Sequence, residues 1–336
     1  RYKGTMTAGL PRSALARPWL LYRIFSARLG LIGALRLGRF FIRRALGAPN
    51  PPMALMLAVT YRCQCRCVHC SSAELGLDGE EELSTAEVKS LIDQAAAAGI
   101  IKFGFTGGEP LLREDLEELV ARAAARHMSV SIDTNGAGLD EETALRLKKA
   151  GVSNICVSVD SPDPKVHDRL RRLKGSHGKA LAAIKTCAEL SIPCSLSTYL
   201  TDKSFERGDL QKLIELSSSL GAAGVRVMFP ILTGKLSGRR TDPLSAENKR
   251  RFFTEIIPEY PRVYSESPLF DHVPGGVRCS MRKGLSVYVS AYGGGRGCCA
   301  SAHPLGSVRR QPLGEILRVY ARTCGGLPAC NLAQGD

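Results

Sequence analysis

Residues 1–72 contain no aspartate or glutamate but twelve lysines or arginines. That absence places the net charge of +14, because the rest of the chain carries 34 basic against 32 acidic residues and is close to neutral. The basic character is a property of an N-terminal arm, not of the whole surface that a nucleic-acid-coating protein presents. Aromatic residues are also few, at 6%, which leaves little to stack on bases, although Trp19, Tyr22, Phe25, Phe40 and Phe41 do fall in the arm. A non-enzymatic metal protein that grips nucleic acid through its arginines is therefore a distant alternative. Arginines interrupt every apolar run of the arm, which excludes a transmembrane span, and no clean apolar core with a small-residue cleavage site marks a signal peptide. Long repeats and low-complexity tracts are absent.

What is present in the arm is a helical pattern over residues 18–47. Arg28, Arg36, Arg39 and Arg43 fall within about 80° of one another at 100° per residue, with Leu, Ile and Phe over much of the remainder and Ile32 intruding on the basic face. Three readings stay open: a helix on an anionic membrane surface or acidic partner, a helix packed across one end of the fold with a solvated arginine face, and a transit peptide. The prolines at 49, 51 and 52 mark a boundary.

Beyond it, strand and helix patterns alternate. Strands are expected at about 54–60, 101–106, 129–133, 152–160, 193–200 and 224–230. Helices are expected at 84–98, 114–127, 140–150, 176–190, 207–220 and 244–257. Such alternation implies a parallel sheet with right-handed crossovers. The fold class is α/β, a partial TIM-like barrel of six units, too few to close an eightfold one. Three regions result: the arm and linker at 1–50, the barrel at 51–260, and a small extension at 261–336 rich in glycine and cysteine. The extension has one strand-like piece at 285–289 and needs a metal cluster to hold it together.

Twelve cysteines are many for a chain of this kind, and their clustering suggests metal ligation in a reducing compartment more than a disulfide framework. Cys63, Cys67 and Cys70 stand at Cys-x3-Cys-x2-Cys spacing directly after the first strand. Thiolates suit iron–sulfur clusters, and three ligands leave one iron open for a cofactor or substrate. A four-cysteine zinc site that adds Cys65 is the alternative; otherwise Cys65 is loop filler that points away. The next strand runs into Gly107-Gly108-Glu109-Pro110.

Cysteine loop and Gly-Gly-Glu-Pro turn together resemble the radical S-adenosylmethionine (SAM) superfamily. The resemblance implies a 4Fe-4S cluster held by Cys63, Cys67 and Cys70, with SAM chelating the open iron. It also implies reductive cleavage to a 5'-deoxyadenosyl radical, and a one-electron donor such as flavodoxin or ferredoxin. His69 stands where the family commonly has an aromatic near adenine. Gly107 and Gly108 would let backbone carbonyls approach the SAM ammonium, and Glu109 would add a carboxylate. Asn135 and Ser158 resemble positions lining SAM, and Arg171 a residue that reaches its carboxylate. The same stretches also read otherwise: Asn135-Gly136 as a turn, Asp160 and Ser161 as caps of the next element, and the arginine as solvated.

In the extension, Cys279, Gly293 and Cys298 resemble the opening of SPASM and twitch modules, which implies one auxiliary 4Fe-4S cluster on Cys279, Cys298, Cys324 and Cys330. Cys299 is left over or substitutes for its neighbour, and a structural zinc is again the alternative. Cys156 shares a strand face with Ser158, which suits a hydrogen donor inside the barrel; Cys187 and Cys194 read as small buried residues. The family weight favours peptide or protein modification. Lipid, isoprenoid or tetrapyrrole chemistry follows. No winged-helix leader-binding pattern precedes residue 50, which counts against a peptide. The expected placement is cytoplasmic, peripheral at a membrane where the arm meets lipid.

Overall fold

A computed structural model describes residues 30–48, 50–72, 80–238, 244–265, 279–301 and 303–324. Helix α1 (Gly30–Ala45) precedes the barrel. Within the barrel, β1 (Ala54–Thr60), β2 (Lys102–Gly107), β3 (Ser129–Thr134), β4 (Asn154–Ser158), β5 (Cys194–Tyr199) and β6 (Gly224–Met228) pair in sequence order, all parallel. Their crossovers contain α2 (Thr85–Ala97), α3 (Leu116–Ala125), α4 (Glu141–Ala150), α5 (Pro164–Arg171), α6 (Ser176–Glu189), α7 (Asp202–Glu206) and α8 (Asp209–Ser219).

Local signals set the helix ends. Ser84 and Glu87 close a reciprocal capping box on α2, the Asp140 side chain accepts from the Thr143 amide at the start of α4, and Gly151 stops α4 with φ +98°. Strand residues alternate between two surroundings. Phe103, Phe105, Val130, Ile132, Ile155 and Val157 join the helices in one apolar core. The opposite face is small and polar: Ser131, Asp133, Cys156, Ser158, Ser195, Ser197 and Arg226 occupy the intervening positions.

The sheet extends past the six expected strands. After a helical stretch starting with α9 (Ala246–Arg251), β7 (Val263–Tyr264) pairs parallel with β6, just beyond residue 260. From the extension, β8 (Ser286–Val289) pairs parallel with the free edge of β1, so that Ala54 faces Ser286 and Leu57 faces Val289. Antiparallel β9 (Gly294–Arg296) and β10 (Pro304–Ser307) complete an order of β10-β9-β8-β1-β2-β3-β4-β5-β6-β7.

The extension has more regular structure than its sequence suggests. Helix α10 (Leu313–Thr323) buries Leu313, Ile316, Leu317 and Tyr320, an apolar spacing of the helical kind. The Tyr320 hydroxyl donates to the carbonyl of Ser286 at 2.6 Å, with that of Met281 also within reach at 2.9 Å, and Arg309 reaches Glu87 at 2.8 Å. The barrel itself thus anchors this region. No helix among the described residues is long and apolar enough to cross a membrane.

Candidate active site

The cysteine loop, 61–72, crosses the C-terminal ends of the strands and is stitched down on three sides. The amides of Gly108 and Glu109 donate to the carbonyls of Thr60 at 2.7 Å and Arg62 at 2.8 Å. The amides of Arg66 and Val68 donate to the last carbonyls of α5, those of Arg171 at 3.1 Å and Leu170 at 2.9 Å, and Lys235 donates its amide to Cys70 O at 3.1 Å.

The paired glycines serve this packing. Gly107 has φ +127°, and a Cβ there would lie 2.2 Å from Thr60 O; one on Gly108 would lie 2.3 Å from Arg62 O. No side chain fits between the end of β2 and the loop.

Glu109 is fully buried beneath the loop. Its Oε1 accepts from Thr134 Oγ1 at 2.6 Å and the Leu111 amide at 3.2 Å, and its Oε2 accepts from the Asn135 amide at 2.8 Å. Burial raises its pKa, while the donors from Thr134, Asn135 and Leu111 pull against that rise. A carboxylate has about four acceptor positions, so these bonds leave capacity on Oε2. The Asn135 side chain turns to the loop, accepting from Gln64 Nε2 at 3.2 Å, with its Nδ2 4.0 Å from Cys63 Sγ.

Arg171 lies on the other side. Its Nε is 2.6 Å from Asp160 Oδ2, its Nη2 donates to Asp160 Oδ1 at 2.9 Å, and its Nη1 is 3.7 Å from Cys67 Sγ. Burial alone would raise the Asp160 pKa, but Arg171 and His69 outweigh it and hold the carboxyl below its usual range. The charge of Arg171 is therefore shared between a buried carboxylate and the loop. Asp160, buried and paired with Arg171, is the central anion of this side.

Burial lowers the His69 pKa, so the ring is neutral and its 3.5 Å approach to Asp160 is dipolar. It stacks on Tyr199 with ring centres 4.2 Å apart, and its buried Nδ1 has no hydrogen-bond partner. A cavity of about 250 Å³ adjoins it, lined in part by Asp160, Thr201, Ser204 and Arg207.

Cys65 does not point away. It is buried, and its thiol interacts with those of Cys63 and Cys67. That contact lowers the Cys63 pKa and, with Arg171 also acting, brings Cys67 down to about 6. Burial raises that of Cys70. No three His, Cys, Asp or Glu side chains among the described residues converge on a single metal ion. The donor set fits a cubane, which takes one thiolate at each of three separate corners: Cys63, Cys67 and Cys70 share a pinned loop, with a thiolate favoured at Cys67.

Inside the barrel, Ser158 pairs in register with Ser197, and Cys156 sits one position deeper, accepting from Asn154 Nδ2 at 3.2 Å. Arg226 crosses this space to Asp133 at 3.0 Å. In the extension, burial raises the pKa of the Tyr320 hydroxyl, and the charges of Cys324, Cys279 and Cys298 raise it further. Cys299 faces another way, packing with Tyr61 against Ala58 and Tyr288. Cys330 lies outside the described residues. Four thiolates suit an iron–sulfur cluster, and Cys279, Cys298 and Cys324 all pack against the main apolar core.

Comparison with known proteins agrees with this geometry. Residues 57–216 match the family model described as the radical SAM superfamily. The chain is 36% identical over 179 residues to the PqqA peptide cyclase of Granulibacter bethesdensis, a match covering 53% of this chain and 47% of that protein. It is 28% identical over 292 residues to the AdoMet-dependent heme synthase of Methanosarcina barkeri, covering 80% of this chain and 82% of that one. The chain thus spans about half the length of the cyclase it matches, 47%. Streptococcus suis SuiB bound to its precursor peptide SuiA superimposes with a TM-score of 0.68 at 15% identity, covering 87% of this chain and 72% of that chain. At that identity the likeness is one of fold.

Proposed function

From a chain that belongs to the radical SAM superfamily, we propose an enzyme that holds a 4Fe-4S cluster on Cys63, Cys67 and Cys70, binds SAM beside it, and modifies a peptide or protein. Held by those thiolates, the cluster would supply the one electron needed for reductive cleavage of SAM, giving a 5'-deoxyadenosyl radical able to take hydrogen from an unactivated C–H bond. The chain's own residues place the reactants. Glu109 retains acceptor capacity for a cation above it, Asn135 and Arg171 border the cysteines, and the stacked His69 offers a polar edge at the adjoining cavity.

The observation that carries this reading is the Gly107-Gly108-Glu109 turn wedged under a three-thiol loop with no room for a Cβ. Peptide chemistry is supported by the cyclase relatives and by the fold shared with SuiB. Tetrapyrrole chemistry is the second reading, because the heme synthase match extends over 80% of this chain against 53% for the cyclase. On either reading, flavodoxin or ferredoxin donates the electron in a reducing cytoplasm, with the enzyme peripheral at the membrane surface. Anaerobic reconstitution followed by reduction should yield 5'-deoxyadenosine from SAM, with deuterium transferred from a labelled precursor peptide. Deuterium arriving from a porphyrin and not the peptide would decide for the second reading, and absence of 5'-deoxyadenosine would end both.

A further inference from the structure

Helix α1 has two apolar faces, and the barrel uses only one. Leu37 and Phe40 are buried with Ile101 and Leu285 and pack against Met53, the residues that immediately precede β2, β8 and β1. The helix therefore lies across the N-terminal ends of the strands, at the end of the barrel opposite the cysteine loop. Arg36 Nη1 donates to Arg126 O at 2.8 Å and Arg44 Nη1 to Lys283 O at 3.5 Å, which pins its length.

Half a turn from the buried face, Leu31, Leu35, Ile42 and Leu46 are 77%, 64%, 61% and 77% exposed. At 100° per residue these four fall within about 60° of one another. They form one outward ridge, with exposed Arg39 and Ile32 along its side. A row of large apolar side chains in water marks an interaction surface.

We propose that this ridge docks on the surface of an anionic lipid bilayer. The proposal deepens the peripheral placement given above and is independent of the radical chemistry. A convex ridge suits a fluid apolar layer, which needs no matching groove, and arginines beside it can bury their stems while their heads meet phosphates. Charge complementarity supports this occupant, since helix α1 contains four arginines and no acidic side chain; Arg282 and Lys283 add exposed cations near the C-terminal end of the helix. Docked this way, the cysteine loop faces away from the membrane, so the substrate reaches the site from the aqueous side.

The test uses the full chain in flotation with vesicles of phosphatidylglycerol and phosphatidylcholine, and with phosphatidylcholine alone. Anionic vesicles should carry the protein, less so as salt rises. A variant with Leu31→Gln, Leu35→Gln, Ile42→Gln and Leu46→Gln should bind at least about tenfold more weakly, with unchanged Tm and unchanged 5'-deoxyadenosine formation in solution. Equal binding by the variant, equal binding to both vesicle types, or no binding by either protein overturns the proposal. A variant with lowered Tm and a wild type that ignores vesicles would show the ridge covered by this chain's own residues before 30.

Discussion

Arg171 and Cys67 are 104 residues apart in sequence, yet the guanidinium Nη1 lies 3.7 Å from the thiol sulfur. Asp160 grips the same guanidinium from the other side at 2.6 Å, so the arginine that steadies the loop is itself held by a buried anion. Removing one member strands the other. Arg171→Met should destabilise the iron-free protein by about 3–5 kcal/mol, and Arg171→Met with Asp160→Leu by less than Arg171→Met alone. Denaturant unfolding of both single variants and the double variant checks this; additive costs would mean the pair is not coupled.

Glu109→Gln replaces an acceptor-only group with one that must turn an amide NH2 toward donors. Three protein donors face this carboxylate, so a loss of about 1–3 kcal/mol is expected. SAM affinity, read by equilibrium dialysis of the reconstituted protein, should fall at least about tenfold while iron content holds. Retention of wild-type SAM affinity would remove Glu109 from the binding site.

His167 makes stability depend on acid. Its Nδ1 accepts from the Asp160 amide at 3.1 Å, which only the neutral ring can do. Burial lowers its pKa from 6.5 to about 4. Between those values the unfolded chain binds more protons, so stability is complete above about pH 6.5 and declines as pH falls toward about 4, by on the order of 2–3 kcal/mol. His69, also lowered by burial, adds to the same slope. Melting temperature measured against pH should show a shallower acid decline in His167→Gln than in the wild type; identical slopes would contradict this.

Packing divides the described thiols of the extension into two sets, Cys279, Cys298 and Cys324 against the main core and Cys299 against Ala58 and Tyr288. Reconstituted protein should hold about eight irons if two cubanes form. Cys279→Ala or Cys324→Ala should leave about four, and Cys299→Ala about eight. An equal loss in the Cys299 variant would place that thiol, not Cys298, among the ligands.

Much of this molecule is legible in short stretches. The Cys63–Cys70 spacing, the Gly107-Gly108-Glu109 turn and the caps at Ser84 and Asp140 are local, and the expected helix at 140–150 differs from Glu141–Ala150 by a single residue. Helix α10 is equally legible in the spacing of Leu313, Ile316, Leu317 and Tyr320, although it stands among glycines and cysteines whose pattern points to metal.

The sequence by itself determined the strand–helix alternation, the three-thiol loop and the basic arm, because hydrophobic period and ligand spacing act between near neighbours. Tertiary structure alone decided that Cys65 joins Cys63 and Cys67, that Asp160 holds Arg171, that β8 adds to the edge of β1, and that α1 keeps a second apolar face outside. Those outcomes depend on contacts between residues far apart in the chain, such as Arg309 with Glu87, whose partners no local pattern encodes.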